Sequence, residues 1–307
     1  MASRTTRIPA ASEPDASLWQ LVKQSFQGWL DDYAPSMGAA ISYYTAFSIA
    51  PVLLIAISVA GLVFGEEAAR GEVFEQLKGL MGADSAAAVQ EMVERAGEPE
   101  RGAGAALIGF VTLAIGATTV FAELQSALDR IWKAPERLKP SGIWGVLRAR
   151  LLSFGIVLSI GFLLIVSLVA SAAISALSAW WGPYFEQWSY IARALDFLVP
   201  IVLLTIGFAL IYKIVPTVKV AWRDVLVGAI ATAVMFTIGK FLIGLYVAHA
   251  AVASPFGAAG SLVILLIWVY YSAQIFLLGA EFTWAWSRRR VARSGVRRGV
   301  TADEGAN

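Results

Sequence analysis

The chain has 307 residues, of which 58% are hydrophobic and only 15% are charged. Ordinary globular domains contain about 45–50% apolar and about 25% charged residues, so this composition excludes most soluble classes and predicts extensive contact with lipid. The formal net charge of +2 is too small to indicate a nucleic-acid-binding protein, and the absence of cysteine excludes disulfides and thiolate metal sites.

The N-terminal segment, residues 1–33, is predicted to be a cytoplasmic tail that ends in one amphipathic helix. Leu18, Val22, Phe26 and Trp29 recur at helical spacing, and polar residues lie between them. Such a helix either lies along the inner membrane surface or packs on the end of a helix bundle. The sequence leaves both arrangements open.

Six long apolar stretches follow, and each exceeds the roughly 20 residues that an α-helix needs to cross a bilayer. We therefore predict an all-α polytopic membrane protein, with residues 34–287 forming one domain of six transmembrane helices. The predicted spans are 38–64, 104–131, 147–175, 194–214, 225–248 and 258–285.

The connection at 65–103 is the one sizeable predicted segment outside the membrane, and it carries nine carboxylates against four cations. Its apolar residues recur at helical spacing, which predicts two short amphipathic helices over the outer end of the bundle. They would form either a lid that shields the spans or a gate or partner-docking surface.

Lysine and arginine are distributed unevenly between the two predicted sides. Eighteen lie in the N-terminal segment, the second and fourth connections and the basic tail at 288–307, and five lie on the opposite side. Because positively charged loops remain in the cytoplasm, both termini are predicted to be cytoplasmic.

Signatures of enzymes are nearly absent from the sequence. His249 is the only histidine, and neither a phosphate-binding loop nor a Gly-x-Ser-x-Gly turn is present. We expect no enzyme activity, no cofactor and no metal, and we interpret His249 as an interfacial hydrogen-bonding residue.

The first predicted span combines a polar half with an apolar half. Ser42, Tyr43 and Ser48 precede Pro51, which cannot donate a backbone hydrogen bond and is predicted to kink the helix. These polar side chains either line a cavity or allow close packing between helices.

Ionisable residues within the other spans are also candidates, because burying them in a membrane is costly. Glu123 and Glu281 would open toward the cytoplasm, with Arg130 and Lys213 as partners, and form a substrate or ion vestibule or an ion-pair network. The candidate cavity residues are Ser42, Tyr43, Ser48, Pro51, Glu123, Asp129, Arg130, Lys240, Gln274 and Glu281.

The sequence resembles the YihY/BrkB-like inner membrane proteins, formerly labelled ribonuclease BN-like. The resemblance is carried by Gly38-Ala-Ala-Ile-Ser-Tyr-Tyr-Thr-Ala-Phe-Ser-Ile-Ala-Pro51, Leu124-Gln-Ser-Ala-Leu-Asp-Arg-Ile-Trp132, Phe256-Gly-Ala-Ala-Gly-Ser-Leu-Val-Ile-Leu-Leu-Ile-Trp268 and Gly279-Ala-Glu-Phe282. It implies a bacterial inner membrane location and a six-span core, and it implies no defined activity. Asp129 stands where this family usually has asparagine. A nuclease is disfavoured because the chain lacks a cluster of histidine and aspartate for metal-dependent hydrolysis.

Two functions therefore remain. The first is a transporter or exporter-like protein for a lipid-linked or amphipathic substrate, and the second is a structural or envelope-assembly protein without transport. A cavity that reaches Glu123 would favour the first, and a fully packed bundle would favour the second. Membrane lipids are the expected partners, nucleic acid is not expected, and homo-oligomerisation is left open.

Overall fold

The computed structural model describes residues 17–97, 119–135, 188–249 and 260–304, together with Val166, Ala173, Ala176, Leu177 and Trp180. Within these residues all regular secondary structure is helical, which confirms the predicted all-α class. The helices are α1 (Leu18–Asp31), α2 (Ala34–Phe64), α3 (Glu66–Met81), α4 (Ala83–Gly97), α5 (described over 119–131), α6 (Trp188–Ile214), α7 (Trp222–His249) and α8 (Gly260–Glu304).

Local sequence explains the boundaries of the first four helices. At the start of α1 the Ser17 hydroxyl accepts the backbone N–H of Gln20, and the Gln20 side chain accepts the backbone N–H of Ser17. This capping box satisfies two N–H groups that the first turn of a helix leaves unpaired. Gly65 (φ 86°) and Gly82 (φ 83°) separate α2, α3 and α4, because side-chain-bearing residues rarely adopt positive φ.

Helix α8 is the centre of the described fold, because it packs against α1, α2, α4 and α7. One buried apolar cluster joins α8 to α2, α5, α6 and α7 near the start of α2. A second cluster joins the later part of α2 to α3, α4 and the first turns of α8. We call the two ends of the molecule the α1 end and the α3–α4 end.

Helices α7 and α8 meet along two glycine–threonine pairs. A Cβ placed on Gly228 would collide with Thr283, and a Cβ placed on Gly279 would collide with Thr232. Each threonine hydroxyl donates to the carbonyl four residues earlier on its own helix, at 2.7 Å in both cases. Small residues spaced four apart thus let the two backbones approach closely, as is common between membrane helices.

Three helical segments of the described residues are long and apolar enough to cross a membrane: Arg193–Ile214, Trp222–Tyr246 and Leu262–Val291. A fourth candidate consists of Ala34–Ala50 and Val52–Leu62, which are bent by 44° at Pro51. They coincide with the predicted fourth, fifth, sixth and first spans. Of the second predicted span only 119–131 is described, and the third lies outside the described residues apart from Val166 and Ala173.

Helix α8 continues well beyond residue 285, where the sixth span was predicted to end, and reaches Glu304. No proline interrupts this stretch. Arg290 donates to Asp224 on α7 at 2.8 Å, and the Asp224 side chain is only 3% exposed. This ion pair holds the first turn of the basic segment against the bundle.

Candidate functional site

A charged cluster at the α1 end joins three helices. Lys133, just after α5, donates to both carboxylate oxygens of Asp32, which directly follows α1. Glu281 on α8 packs against α1 at Gly28. Glu281 is 1% exposed, and its Oε1 has no hydrogen-bond partner among the described residues. Two buried carboxyl groups therefore lie at this end of the molecule, and Lys133 pairs with that of Asp32.

Local backbone features bring these three side chains together. Helix α1 presents Gly28 to Glu281, and a Cβ at this position would lie 2.5 Å from Oε2. A Cβ at this position would therefore require the Glu281 carboxyl group to shift. Lys133 adopts a positive φ of 52°, which ends α5 and turns its side chain toward Asp32.

An aromatic ring adds to the same cluster. Trp284, one turn after Glu281, has the Lys133 ammonium 5.7 Å and the Arg288 guanidinium 4.9 Å from its ring centre. Both cations lie within the range of a favourable cation–π interaction. Trp284 thus links the Asp32–Lys133 ion pair to the basic segment of α8.

Gln274 occupies a second polar position, about two turns before Glu281 on α8. Its amide packs against Gly38 of α2, where a Cβ would collide with Nε2. Neither Nε2 nor Oε1 has a hydrogen-bond partner among the described residues. A buried amide without partners costs free energy, so this position is a candidate contact for a polar group of a ligand.

An apolar groove of about 400 Å³ lies at the α3–α4 end, between α2, α4 and α8. Tyr43 and Phe47 of α2 are 56% and 63% exposed on its wall. Arg95 and Glu91 of α4 form an ion pair at its rim, at 2.5 Å. The remaining lining residues are Ala46, Ala88, Met92, Leu262 and Leu266.

Two of the polar candidates on α2 form packing contacts. The Ser42 hydroxyl donates to the Leu266 carbonyl of α8 at 2.8 Å, and the Ser48 hydroxyl donates to the Tyr44 carbonyl at 2.7 Å. Both serines are 3% exposed. Tyr43, by contrast, faces the groove, and Pro51 lies at the bend of α2.

The candidates on α5 do not form the arrangement that was predicted from spacing. Asp129 accepts the backbone N–H and the hydroxyl of Thr217, at 2.8 Å and 3.0 Å, and so anchors the loop after α6. Arg130 lies over the ring of Tyr33 at 5.7 Å. Glu123 is half-buried and forms no hydrogen bond or ion pair with the described residues.

The predicted cationic partners of Glu281 are likewise engaged elsewhere. Lys213 donates to the Val220 carbonyl at 2.5 Å and lies over the Trp222 ring, so it does not pair with Glu281. Lys240, a separate candidate that was not predicted to pair with Glu281, is half-buried in α7 without an ion-pair partner among the described residues. The side chain of His249 lies outside the described residues.

Sequence reasoning identified Glu281 but missed Asp32, Lys133 and Gly28. Asp32 and Lys133 lie in the short connections next to predicted helices, where charged residues are ordinarily solvated. A usable signal was their position directly beside predicted membrane segments, where a charge needs a partner. Within the described parts of the chain, no group of three or more His, Cys, Asp or Glu side chains is arranged to hold a metal ion.

The sequence of the chain is similar to those of a known family of membrane proteins. The profile of the family described as virulence factor BrkB matches residues 25–302. A UPF0761 membrane protein of Alkalilimnicola ehrlichii is 28% identical over 261 residues, which cover 83% of this chain and 55% of the relative. A UPF0761 membrane protein of Tolumonas auensis is 33% identical over 178 residues, which cover 57% and 56% of the two chains.

A third relative, a UPF0761 membrane protein of Pseudomonas aeruginosa, is 28% identical over 269 residues, or 86% of this chain and 62% of the relative. The chain thus spans little more than half the length of the curated relatives it matches. No solved structure matches the chain significantly. The family match covers most of the sequence, and the resemblance noted from its motifs is confirmed. The chain belongs to the virulence factor BrkB family of bacterial membrane proteins.

Proposed function

We propose that this protein is a transporter or exporter-like membrane protein that binds an amphipathic, lipid-like molecule in the groove between α2, α4 and α8. The groove itself is the observation that carries the proposal. Its wall is apolar and partly aromatic, and its rim carries the Glu91–Arg95 pair. A ligand with hydrocarbon chains and a charged headgroup matches this combination of surfaces.

The position of the groove supports a ligand that comes from the lipid phase. Tyr43 and Phe47 lie on the bent candidate segment formed by Ala34–Ala50 and Val52–Leu62, and Leu262 begins the segment Leu262–Val291. Phe47 and Leu262 are 63% and 42% exposed, so the apolar wall is open on one side. A hydrocarbon chain lying against these residues would cover their exposed apolar surface.

The proposal includes six spans in a bacterial inner membrane, with the α1 end and both termini cytoplasmic. The separation of described cations supports this orientation: Lys133, Lys213, Arg288 and Arg290 lie at the α1 end, and the cations of α3 and α4 lie at the other end. The proposal includes no catalytic step, cofactor or nucleic-acid partner, and self-association is compatible with it.

Photocrosslinking in vesicles tests whether a lipid binds in the groove. We expect a phospholipid with a photoreactive acyl chain to label peptides of α2, α4 and α8 that line the groove. Leu262→Trp would fill the groove and reduce this labelling several-fold. Leu242→Trp is the matched control, because Leu242 is 53% exposed on α7 and does not line the groove.

Movement of lipid is measured on the same preparations with a headgroup-labelled phospholipid and an impermeant quencher. We expect the protein to speed exchange between leaflets, and Leu262→Trp to slow it. Labelling spread evenly over all lipid-facing peptides, with no exchange above protein-free vesicles, would contradict a transporter.

The alternative, a structural or envelope-assembly protein, is favoured by a different observation. The side chains of Ser42, Ser48 and Asp129 form hydrogen bonds within the bundle. If this alternative holds, Leu262→Trp and Leu242→Trp will behave alike in both assays, while an envelope defect of a deletion strain is rescued by either variant.

A further inference from the structure

Two exposed arginines at the α1 end contact aromatic rings rather than carboxylates. Arg130, in the last turn of α5, has its guanidinium 5.7 Å from the centre of the Tyr33 ring. Arg288 of α8 lies 4.9 Å from the ring centre of Trp284, and Lys133 contacts that same ring at 5.7 Å. Neither arginine forms an ion pair with the described residues. Both guanidinium groups can therefore donate to a ligand.

The exposed charge around these arginines is mainly positive. Asp31 is exposed, and the carboxylate of its neighbour Asp32 is paired with Lys133. The other carboxylates described at this end are buried, namely Asp129, Asp224 and Glu281. The exposed cations described there include Arg130, Lys133, Lys219, Arg223, Arg288 and Arg290. An anion that approaches the α1 end therefore meets a positive surface.

An exposed apolar stripe of α1 lies beside this positive surface. Tyr33, whose ring contacts Arg130, is 64% exposed. Phe26 and Leu30, in the last turns of α1, are each 51% exposed. A candidate membrane segment begins at Ala34, one residue after Tyr33. Cations and exposed apolar side chains thus meet where a membrane segment starts, which is the level of the lipid headgroups.

The phosphate group of an acidic phospholipid fits this combination of side chains. A guanidinium group donates paired, charge-assisted hydrogen bonds to phosphate oxygens. Phosphatidylcholine carries its own cation beside the phosphate, whereas phosphatidylglycerol does not. A surface with an excess of positive charge therefore favours the acidic lipid.

We propose that the α1 end binds the headgroup of an acidic phospholipid of the bilayer. Arg130 and Arg288 donate to its phosphate oxygens, Lys133 contributes positive charge, and the acyl chains lie along the exposed apolar side chains of α1. The lipid then joins α1, α5 and α8 and stabilises this end of the molecule. The site lies away from the groove at the α3–α4 end, and it does not depend on the proposed transport.

Thermal unfolding of the full chain in detergent tests the preference for an acidic lipid. A ligand that binds only the folded state raises the melting temperature. We expect phosphatidylglycerol to raise it more than phosphatidylcholine with the same acyl chains, and more than inorganic phosphate at the same concentration. Equal effects of the two lipids, or of phosphatidylglycerol and inorganic phosphate, would overturn the proposal.

Variants that remove charge test the location of the site. Arg130→Gln combined with Arg288→Gln should abolish most of the difference between the two lipids. Arg70→Gln is the matched control, because it removes a cation of α3 that pairs with Glu66 on its own helix, and the difference should persist. Each shift is measured from the variant's own melting temperature without lipid, so a change in basal stability does not imitate lost binding. A double variant that keeps the full wild-type preference would overturn the site.

Crosslinking of the wild-type chain locates the headgroup without any substitution. Phosphatidylglycerol with a photoreactive headgroup, in phosphatidylcholine vesicles, should label peptides around Arg130 and Arg288 several-fold more than those of α3 and α4. Labelling confined to α3 and α4 would contradict the proposed site.

The same experiment separates this site from the groove. Leu262→Trp should reduce labelling by a photoreactive acyl chain in the groove and leave headgroup labelling at the α1 end unchanged. Headgroup labelling at the α1 end without any acyl-chain labelling of the groove would overturn the proposed transport alone. The reverse result would overturn the headgroup site alone.

Discussion

At the scale of single residues, glycines decide how closely the helices approach. Gly279 faces Thr232 and the Tyr212 hydroxyl, and Tyr212 also donates to the Phe276 carbonyl at 2.7 Å. Gly28 and Gly38 admit Glu281 and Gln274 in the same way. Each of these contacts brings a polar group of one helix against the bare backbone of another. The polar groups are therefore shielded from lipid by backbone rather than by bulky side chains.

We expect Gly279→Ala to destabilise the protein by about 1–3 kcal/mol, because the new methyl group overpacks the contact between α7 and α8. Gly244→Ala is the matched control, since nothing lies within 4 Å of a Cβ at this helical position. Alanine is the better helix former by up to about 1 kcal/mol, so the control should melt at or above the wild-type temperature in detergent. Equal melting of the two variants would show that α7 and α8 are more loosely packed than described.

At the scale of helices, α1 has one face that is buried against the bundle and one apolar face that is exposed. Leu21 and Ser25 are buried against the bundle, whereas Leu18, Trp19 and Phe26 are 68%, 74% and 51% exposed. The two arrangements that the sequence left open are thus compatible, because one stripe of α1 packs while another remains free. A free stripe of this kind, next to the membrane-spanning helices, is typical of a helix that lies in the bilayer interface.

Spin labels on α1 test this arrangement, and the absence of native cysteine makes single labels possible. We expect a label at Phe26→Cys to collide with oxygen, which concentrates in lipid, and one at Lys23→Cys to collide with a water-soluble nickel chelate. Both positions are exposed, so neither label should disturb packing. Equal exposure of both labels to the nickel chelate would place α1 in water.

The helices were more predictable than their contacts. Apolar runs with polar ends predicted α2, α6, α7 and the start of α8, and Pro51 predicted the bend, because each of these signals is local in sequence. When nearly every face of a helix is apolar, the local sequence does not show which face is turned toward each neighbouring helix. Ser42 and Tyr43 are neighbours in sequence, yet the first binds α8 and the second faces the groove.

At the candidate site, too, the sequence indicated a residue but not its contacts. Glu281 was identified because a carboxylate in an apolar run is unusual, but its depth alone suggested Arg130 or Lys213 as partner. The ion pair observed at this end instead joins Asp32 and Lys133 in the turns after α1 and α5, and spacing along a helix does not predict the positive φ of Lys133.

At the scale of the whole molecule, charge is separated along the long axis. The α3–α4 end carries mostly carboxylates, with Arg70, Lys78 and Arg95 each paired to a glutamate on its own helix. The α1 end carries cations that contact aromatic rings or carboxylates of other helices. Pairs within one exposed helix contribute little to stability, whereas those at the α1 end join helices to one another. The acidic end is therefore held mainly by its apolar cluster, and the basic end also by charge.

This separation predicts the orientation of the chain, which single cysteines can test in intact cells. Basic segments beside membrane spans remain in the cytoplasm, and 18 of the 24 Lys and Arg residues lie on the predicted inner side. An impermeant maleimide should therefore label Glu67→Cys, at the exposed start of α3, without breaking the cells. A cysteine added after Asn307 should react only once the membrane is opened. Protection of Glu67→Cys together with labelling of the C-terminal cysteine would reverse the predicted orientation.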